Sequence, residues 1–207
     1  MFTINKRIAH VGMVLAVAAM AGCSSTPTYP PAPTQTGSYD WNYLVGPGDS
    51  VQVFVWRNPE VSGSFPVRPD GKMTMNLVED IQASGKTPSQ LARDIEKALA
   101  KYIQEPIVTV IVAGGIGPFD QQIRVVGEAA KPQALNYREK MSLVDLMIAV
   151  GGLTDFAAGN KAYILRTVDG KQERLGVRLE DLLKGGDVSA NVAMRPGDVL
   201  VVPESLF

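Results

Sequence analysis

The sequence is nearly without the two residue types on which much enzyme and metal chemistry depends. Its 207 residues include one cysteine, Cys23, and one histidine, His10, both close to the N-terminus. The remainder of the chain therefore has no Ser-His-Asp or Cys-His nucleophile and no zinc site built on these ligands. Carboxylates, lysines and tyrosines are left for acid–base chemistry. We expect a protein that is not an enzyme and that binds no metal and no cofactor.

A large net charge of either sign is also absent. The chain has 20 basic and 21 acidic residues, a net charge of −1, and no long run of basic residues. Nucleic-acid-binding proteins have a concentrated basic patch or stripe, so we expect no nucleic-acid partner. With 45% hydrophobic and 20% charged residues, the composition is that of an ordinary globular protein.

The first 22 residues have the parts of a secretory signal. Lys6 and Arg7 precede an apolar run over residues 11–21, which is too short for a membrane-spanning helix of about 20 residues. Residues 20–23, Met-Ala-Gly-Cys, resemble a bacterial lipobox, in which the cysteine is acylated. We predict a signal peptide over 1–22 and lipidation of Cys23, with palmitate among the attached acyl chains. The alternative is an ordinary signal that leaves a free thiol. Ser24 resembles the residue found there in lipoproteins sorted to the outer membrane.

The rest of the chain divides into a tether and two modules. Residues 23–40 are rich in Pro, Ser and Thr and predict a flexible tether after the lipidated cysteine. Short strand patterns with one main helix in each half predict an α+β protein of two small modules, 41–113 and 120–203. Three glycines, Gly114, Gly115 and Gly117, mark the boundary.

A Pro-Gly-Asp turn occurs near both ends of the folded part. Residues 47–49 precede a strand over 51–56, and residues 196–198 precede a strand over 199–202. Pro followed by Gly fits the centre of a type II turn, and both aspartates, Asp49 and Asp198, are attributed to the turn itself. The repetition marks either two related sheet edges or simply a favoured turn.

In the first module, Thr87 and Gln90 form a capping box around Pro88 and start a helix. Apolar residues then recur at helical spacing through about residue 103: Leu91, Ile95, Leu99 and Tyr102. We further predict a strand over 64–67, a hairpin turn at 69–72, extended segments over 73–75 and 77–83, and a strand over 107–112 buried on both faces.

The second module opens with a predicted strand over 122–126 and a loop over 127–133. Ser142 caps a helix that Gly151 and Gly152 end. A hairpin follows around Asp169 and Gly170, then a short helix over 179–184 and the last strand over 199–202.

Together these residues resemble a known family. Residues 45–72, the capped helix and residues 106–112 are similar to the N-terminal domain of the outer-membrane polysaccharide export family. Residues 122–166, especially 126–128 (Val-Gly-Glu) and 150–153 (Val-Gly-Gly-Leu), look like the SLBB β-grasp module that follows it. Residues 195–207 are similar to the short members associated with exosortase (PEP-CTERM) exopolysaccharide clusters.

The resemblance implies a ring-forming lipoprotein in an exopolysaccharide export channel. It would be anchored by lipid to the periplasmic face of the outer membrane, and its partners would be the exopolysaccharide chain, an inner-membrane polysaccharide copolymerase and further copies of itself. Asn76 replaces the usual Pro. Only four residues follow Pro203, where longer members have a pore-forming amphipathic helix. We therefore expect either another protein to form the pore or the ring to act as an adaptor beneath it.

Three residues are candidate glycan contacts: Arg68, Arg124 and Glu128. Two other functions stay open, a monomeric glycan-binding lipoprotein of the envelope and a carboxylate-based polysaccharide hydrolase or lyase. The carboxylates available to the latter are Glu60, Asp70, Glu79, Asp80 and Glu128. Trp41 and Trp56 either stack on sugar rings or pack internally.

Overall fold

The computed structural model describes residues 29–34 and 41–205, so the predicted signal peptide and Cys23 lie outside the described residues. The strands are β1 (Ser50–Val55), β2 (Gly63–Pro66), β3 (Lys72–Met75), β4 (Val78–Gln82), β5 (Val108–Ala113), β6 (Ile123–Gly127), β7 (Ala134–Leu135), β8 (Tyr163–Val168), β9 (Lys171–Gly176) and β10 (Val199–Val202). The helices are α1 (Pro88–Leu99), α2 (Leu143–Ala149) and α3 (Leu179–Leu183). The α+β prediction is confirmed.

The first module is a small antiparallel sheet covered by a helix and a hairpin. Its strand order is β2-β1-β5, with β3 and β4 paired separately. In β1, Val51, Val53 and Val55 are buried while the residues between them are exposed, as period-two alternation requires. The buried face of the sheet shares one core with α1 and the hairpin.

Strand β5 differs from its prediction. Its β-branched sequence was expected to be buried on both faces, but burial alternates along it, and Ile111 is 52% exposed. The reason is that only one layer covers this sheet, so the side of β5 away from α1 faces solvent.

Helix α1 begins as predicted and ends earlier. The Thr87 hydroxyl accepts the Gln90 N–H and the Gln90 side chain accepts the Thr87 N–H. Leu91, Ile95 and Leu99 are fully buried, but the helix stops at Leu99, and Tyr102 is 63% exposed. The prediction that helical spacing continues through Tyr102 is wrong, because the chain has already left the helix and forms a turn there.

The second module contains a mixed five-stranded sheet of order β7-β6-β10-β8-β9. Strands β6 and β10 are parallel, and the other neighbours are antiparallel. Helix α2 starts at the predicted capping residue, Ser142, and packs Leu143, Leu146 and Met147 on one face of the sheet. Strand β7 was missed, since two residues give no readable pattern.

Residues 29–34 contact the second module, although they lie in the stretch 23–40 predicted to be a flexible tether. Gly176 donates its N–H to the Pro30 carbonyl (2.8 Å) and accepts the Ala32 N–H (3.1 Å). Ala32 is only 6% exposed and belongs to the core of the module. Among the described residues, no helix is long and apolar enough to cross a membrane.

Candidate functional site

Asp49 lies where the first module meets residues 114–121, which we call the linker. It is fully buried, and its two carboxylate oxygens accept four hydrogen bonds. Tyr43 Oη (2.5 Å) and the Gly46 N–H (2.8 Å) donate to Oδ2. The Ile116 (2.7 Å) and Gly117 (3.2 Å) N–H groups donate to Oδ1. Asp49 therefore ties its own turn to a segment 67 residues further along the chain.

Burial is the main reason that the pKa of the Tyr43 phenol is raised above its ordinary value, and the hydrogen bond to Asp49 adds to the effect. The phenol consequently stays protonated and continues to donate to the carboxylate.

Asp198 occupies the matching position in the second Pro-Gly-Asp turn. It accepts the Arg195 N–H, as Asp49 accepts the Gly46 N–H, each at 2.8 Å and three residues back. In addition it forms a bidentate ion pair with Arg166 of β8, at 2.9 and 2.7 Å. The side chains of Arg166 and Asp198 are 4% and 1% exposed. Arg166 was not singled out from the sequence, and an arginine at an inward strand position is the signal that would have found it.

The two turns begin central strands, β1 and β10, so the suggestion of related sheet edges is wrong. Both also contact the linker. A Cβ on Gly46 would lie 2.0 Å from the Gly117 carbonyl carbon. A Cβ on Gly197 would lie 2.7 Å from the backbone carbonyl oxygen of Asp120. Glycine is required at both positions because the linker backbone passes so closely. We call the linker and these two turns the junction.

Aromatic side chains add a second contact between the modules at this place. The Trp41 ring is edge-on to Tyr43 of the first module (6.1 Å between centroids) and to Tyr137 of the second (5.1 Å). Trp41 thus packs internally. Trp56, by contrast, is 53% exposed and lies beside Phe54 on the outer face of β1.

Arg68, the first candidate glycan contact, already has two anionic partners. Its guanidinium lies 2.6 Å from Asp70 and 2.7 Å from Asp80, and it also donates to Thr74. The Arg68 ion pair, followed by the Lys72 N–H, lowers the pKa of Asp70 from 3.8 to about 2. An anionic polymer at Arg68 would have to compete with both carboxylates.

Arg124 and Glu128, the other two candidates, lie at opposite ends of β6. The Arg124 guanidinium stacks on Phe119 (4.3 Å to the ring centroid) and donates to the Phe119 carbonyl at 2.9 Å. Its Nε is buried and has no hydrogen-bond partner among the described residues. The Glu128 carboxylate accepts the Thr154 hydroxyl at 2.5 Å. Each side chain therefore has an internal role already.

The three candidate residues are divided between the two modules. Arg68 precedes the β3–β4 hairpin of the first module, whereas Arg124 and Glu128 belong to the second. No group of three or more potential metal-ligating side chains occurs within 29–34 and 41–205.

Comparison with known proteins gives a matching family model for each module. Residues 38–113 match the family model described as polysaccharide biosynthesis/export protein, and residues 122–184 match the SLBB domain. The chain is similar to EPS I polysaccharide export outer membrane protein EpsA of Ralstonia nicotianae, with 26% identity over 187 residues, 78% of this chain and 47% of the relative. It is also similar to polysialic acid transport protein KpsD of Escherichia coli, with 23% identity over 167 residues, 81% of this chain and 29% of the relative.

The chain spans less than half the length of these curated relatives. The two family models together nevertheless account for most of residues 38–184, in the order expected from the sequence. The chain belongs to the family of polysaccharide biosynthesis/export proteins, with an export domain followed by an SLBB domain.

Proposed function

We propose that this protein is a component of a polysaccharide export system, a lipoprotein held by Cys23 to the periplasmic face of the outer membrane. The observation that supports it best is that both modules, in order, match relatives named for polysaccharide export and transport. In this proposal copies of the chain form a ring that acts as an adaptor for the exopolysaccharide chain, next to an inner-membrane polysaccharide copolymerase.

The junction supports a scaffolding role. Asp49 and Gly46 contact the linker from the first module, and Gly197 contacts it from the second. The Trp41 ring contacts both modules directly. A subunit whose modules hold a fixed orientation can present the same surfaces to each neighbour, which a closed ring requires.

The proposal assigns no catalysis. Two of the carboxylates available to a hydrolase, Asp70 and Asp80, form ion pairs with Arg68. A third, Glu128, accepts a hydrogen bond from the Thr154 hydroxyl. Arg68, Arg124 and Glu128 remain proposed glycan contacts that would share their internal partners with the polymer.

Native mass measurement of the mature, lipidated protein tests the ring. A closed oligomer is expected, and a strict monomer that still binds polysaccharide would replace the proposal with a monomeric glycan-binding lipoprotein. Release of reducing ends from the polymer by the purified protein would instead indicate an enzyme.

Deletion of the chain tests the transport role, because secreted polymer is expected to disappear while its synthesis continues. Complementation with Cys23→Ser tests the anchor. The variant is expected in the soluble periplasmic fraction with export lost, and a Cys23→Ser protein that still fractionates with the outer membrane would contradict lipid anchoring.

A further inference from the structure

The sheet of the first module has one face that its own core leaves uncovered. Directly opposite residues of an antiparallel pair point to the same side, so the register of β1, β2 and β5 defines this face. We call it the outer face. It consists of alternate residues from Ser50 to Trp56 and from Ile107 to Ala113, together with Ser64 and Pro66 of β2.

None of the side chains on the outer face carries a charge. Strand β9 of the second module shows the opposite pattern, since three of its six residues are charged: Lys171, Glu173 and Arg174. Charged side chains are a usual means by which exposed strands avoid association. The outer face lacks this protection, as the cores of protein interfaces do.

The exposed apolar area of the outer face is large. Phe54 and Trp56 are 49% and 53% exposed, and Ile107 and Ile111 are 60% and 52% exposed. Large apolar side chains offer roughly 150 to 250 Å² each, so these four leave about 400 Å² in one patch. A standard interface buries about 800 Å² per partner, of which about 450 Å² is apolar. The outer face therefore supplies most of the apolar area that a stable contact between proteins needs.

Trp56 is held in place before any partner binds. Its N–H donates to the Ile107 carbonyl and its own carbonyl accepts the Asn58 side-chain amide, each at 2.9 Å. Its ring packs edge-on to Phe54, with 6.4 Å between the centroids. Tryptophan is enriched among the residues that contribute most to binding, and a side chain already fixed in position loses less entropy on binding.

A second copy of this chain fits the outer face better than a polysaccharide does. Copies of one chain carry the same net charge, so they meet with least repulsion through an uncharged surface. Small-ligand sites surround their apolar surface with polar groups that fix the orientation of the ligand. On the outer face Ile107 and Ile111 lie on either side of Thr109, the residue opposite Phe54.

We propose that the outer face is a contact surface between neighbouring copies of this chain. The inference rests on the proposed ring and names one of the surfaces through which the ring closes. In a closed ring of more than two copies the contact is head to tail, so the outer face meets a different surface of the next copy. Trp56 then becomes buried in every copy.

Hydroxyl-radical labelling of the mature, lipidated protein in detergent measures the burial of Trp56. Oxidation of this residue is read by mass spectrometry on the oligomer and on monomer obtained by dilution. We expect several-fold less oxidation of Trp56 in the oligomer. Equal oxidation in the two would overturn the proposal and leave the ring standing. A protein that is monomeric at every concentration would instead contradict the ring itself, so the two failures are distinguishable.

The same measurement tests the other occupant. The polysaccharide secreted by the same cells is added to the dilute monomer before labelling. We expect the oxidation of Trp56 to stay unchanged. Protection of Trp56 by the polymer and not by assembly would overturn the proposal and assign the outer face to the polymer.

A matched pair of variants tests the contact directly. Thr109→Glu places a carboxylate opposite Phe54, between the two isoleucines. Thr167→Glu adds the same charge to β8 of the second module. Both threonines are exposed strand residues, so both variants are expected to fold, which thermal unfolding by circular dichroism checks.

We expect Thr109→Glu to weaken assembly by about tenfold or more, because a carboxylate buried in a contact without a partner is costly. Thr167→Glu is expected to assemble like the natural protein. Native mass measurement over a dilution series gives the concentration at which each oligomer dissociates. Equal assembly of the two variants would show that the outer face is not the contact and would overturn the proposal.

Discussion

Asp49 is buried and has no cationic partner within residues 29–34 and 41–205, so it depends on hydrogen bonds to compensate its lost hydration. Asp49 has four such bonds, three of them from backbone N–H groups. Removing the side chain therefore leaves these donors without an acceptor. Each buried donor without an acceptor costs about 1 to 3 kcal/mol of stability.

We predict that Asp49→Ala lowers the free energy of unfolding by about 3 kcal/mol or more. Asp70→Ala is the comparison, because Asp70 is also an aspartate in a turn but is exposed, and an exposed ion pair contributes little to stability. Urea unfolding monitored by circular dichroism measures both. Similar losses for the two variants would show that the Asp49 bonds do not determine stability.

The same Asp70 permits a test of its ion pair with Arg68 by pH. Its pKa is lowered from 3.8 to about 2, so the folded state binds the proton less readily than the unfolded chain. The stabilisation is complete above pH 3.8 and is lost as the pH falls towards 2. We expect the Asp70 carboxyl resonance to titrate near pH 2, and at a higher pH in Arg68→Gln, where the Lys72 N–H still lowers the pKa in part. An unchanged midpoint in that variant would exclude the ion pair as the cause.

At the scale of elements, the ion pair between Arg166 and Asp198 joins a strand to the turn that precedes another strand. Arg166 also donates to the Ala193 carbonyl at 3.0 Å, so one guanidinium holds the segment 193–198 against β8. Strand β10 enters the centre of its sheet directly from this segment.

We predict that Arg166→Met destabilises the protein by about 3 to 5 kcal/mol, because Asp198 is left buried with an uncompensated charge. Adding Asp198→Asn removes that charge while keeping an oxygen for the Arg195 N–H. The double variant is expected to recover a large part of the loss in thermal or urea unfolding. A double variant less stable than Arg166→Met would contradict this account.

The elements that the sequence predicts well are those specified by neighbouring residues. Helix α1 has its capping box and its apolar spacing within one stretch of chain, and β1 has its alternation. Strand β7 pairs with the neighbouring β6 but has only two residues, too few for a pattern. Residues 29–34, in contrast, depend on partners far along the chain. Pro-rich residues 29–34 have the composition of a tether, and nothing local to them indicates that Gly176 offers them two hydrogen bonds.

The site was predictable to a smaller extent for the same reason. The Pro-Gly-Asp motif identifies the turns at Asp49 and Asp198, since the turn needs only adjacent residues. The bonds from Asp49 to Ile116 and Gly117 cross 67 and 68 residues and leave no trace in the local pattern. Arg68, Arg124 and Glu128 were chosen by charge and family position, and their internal partners appear only with the folded backbone.

At the scale of the whole molecule, the orientation of the modules depends on how tightly the junction packs. Gly46 and Gly117 approach so closely that any side chain on Gly46 displaces the linker backbone. The atoms that a Cβ on Gly46 would meet all belong to the linker, so the expected damage is to the relation between the modules more than to the modules themselves.

We predict that Gly46→Ala loosens the junction while both modules stay folded. Trp41 reports on it directly, since the chain has two tryptophans and Trp56→Phe leaves Trp41 as the only one. Gly46→Ala in that background is expected to red-shift the Trp41 emission and to speed proteolysis within 114–121. Gly63→Ala is the control, because the atoms nearest to its Cβ would belong to the Phe65 ring, at 3.1 Å, and not to the backbone. An unchanged emission maximum in Gly46→Ala would argue against a tight junction.

The docking of residues 29–34 on the second module also bears on the order in which the chain folds. The contact between Tyr29 and Arg174 joins residues 145 apart, while the bonds of Asp49 to the linker close loops of fewer than half that length. Loop closure costs more entropy as the loop grows, and the segment gains its partners only once β9 is in place. The first residues of the fold to be synthesised are thus expected to be the last to dock. They are also expected to open first, so amide exchange at Ala32 should be faster than in either core.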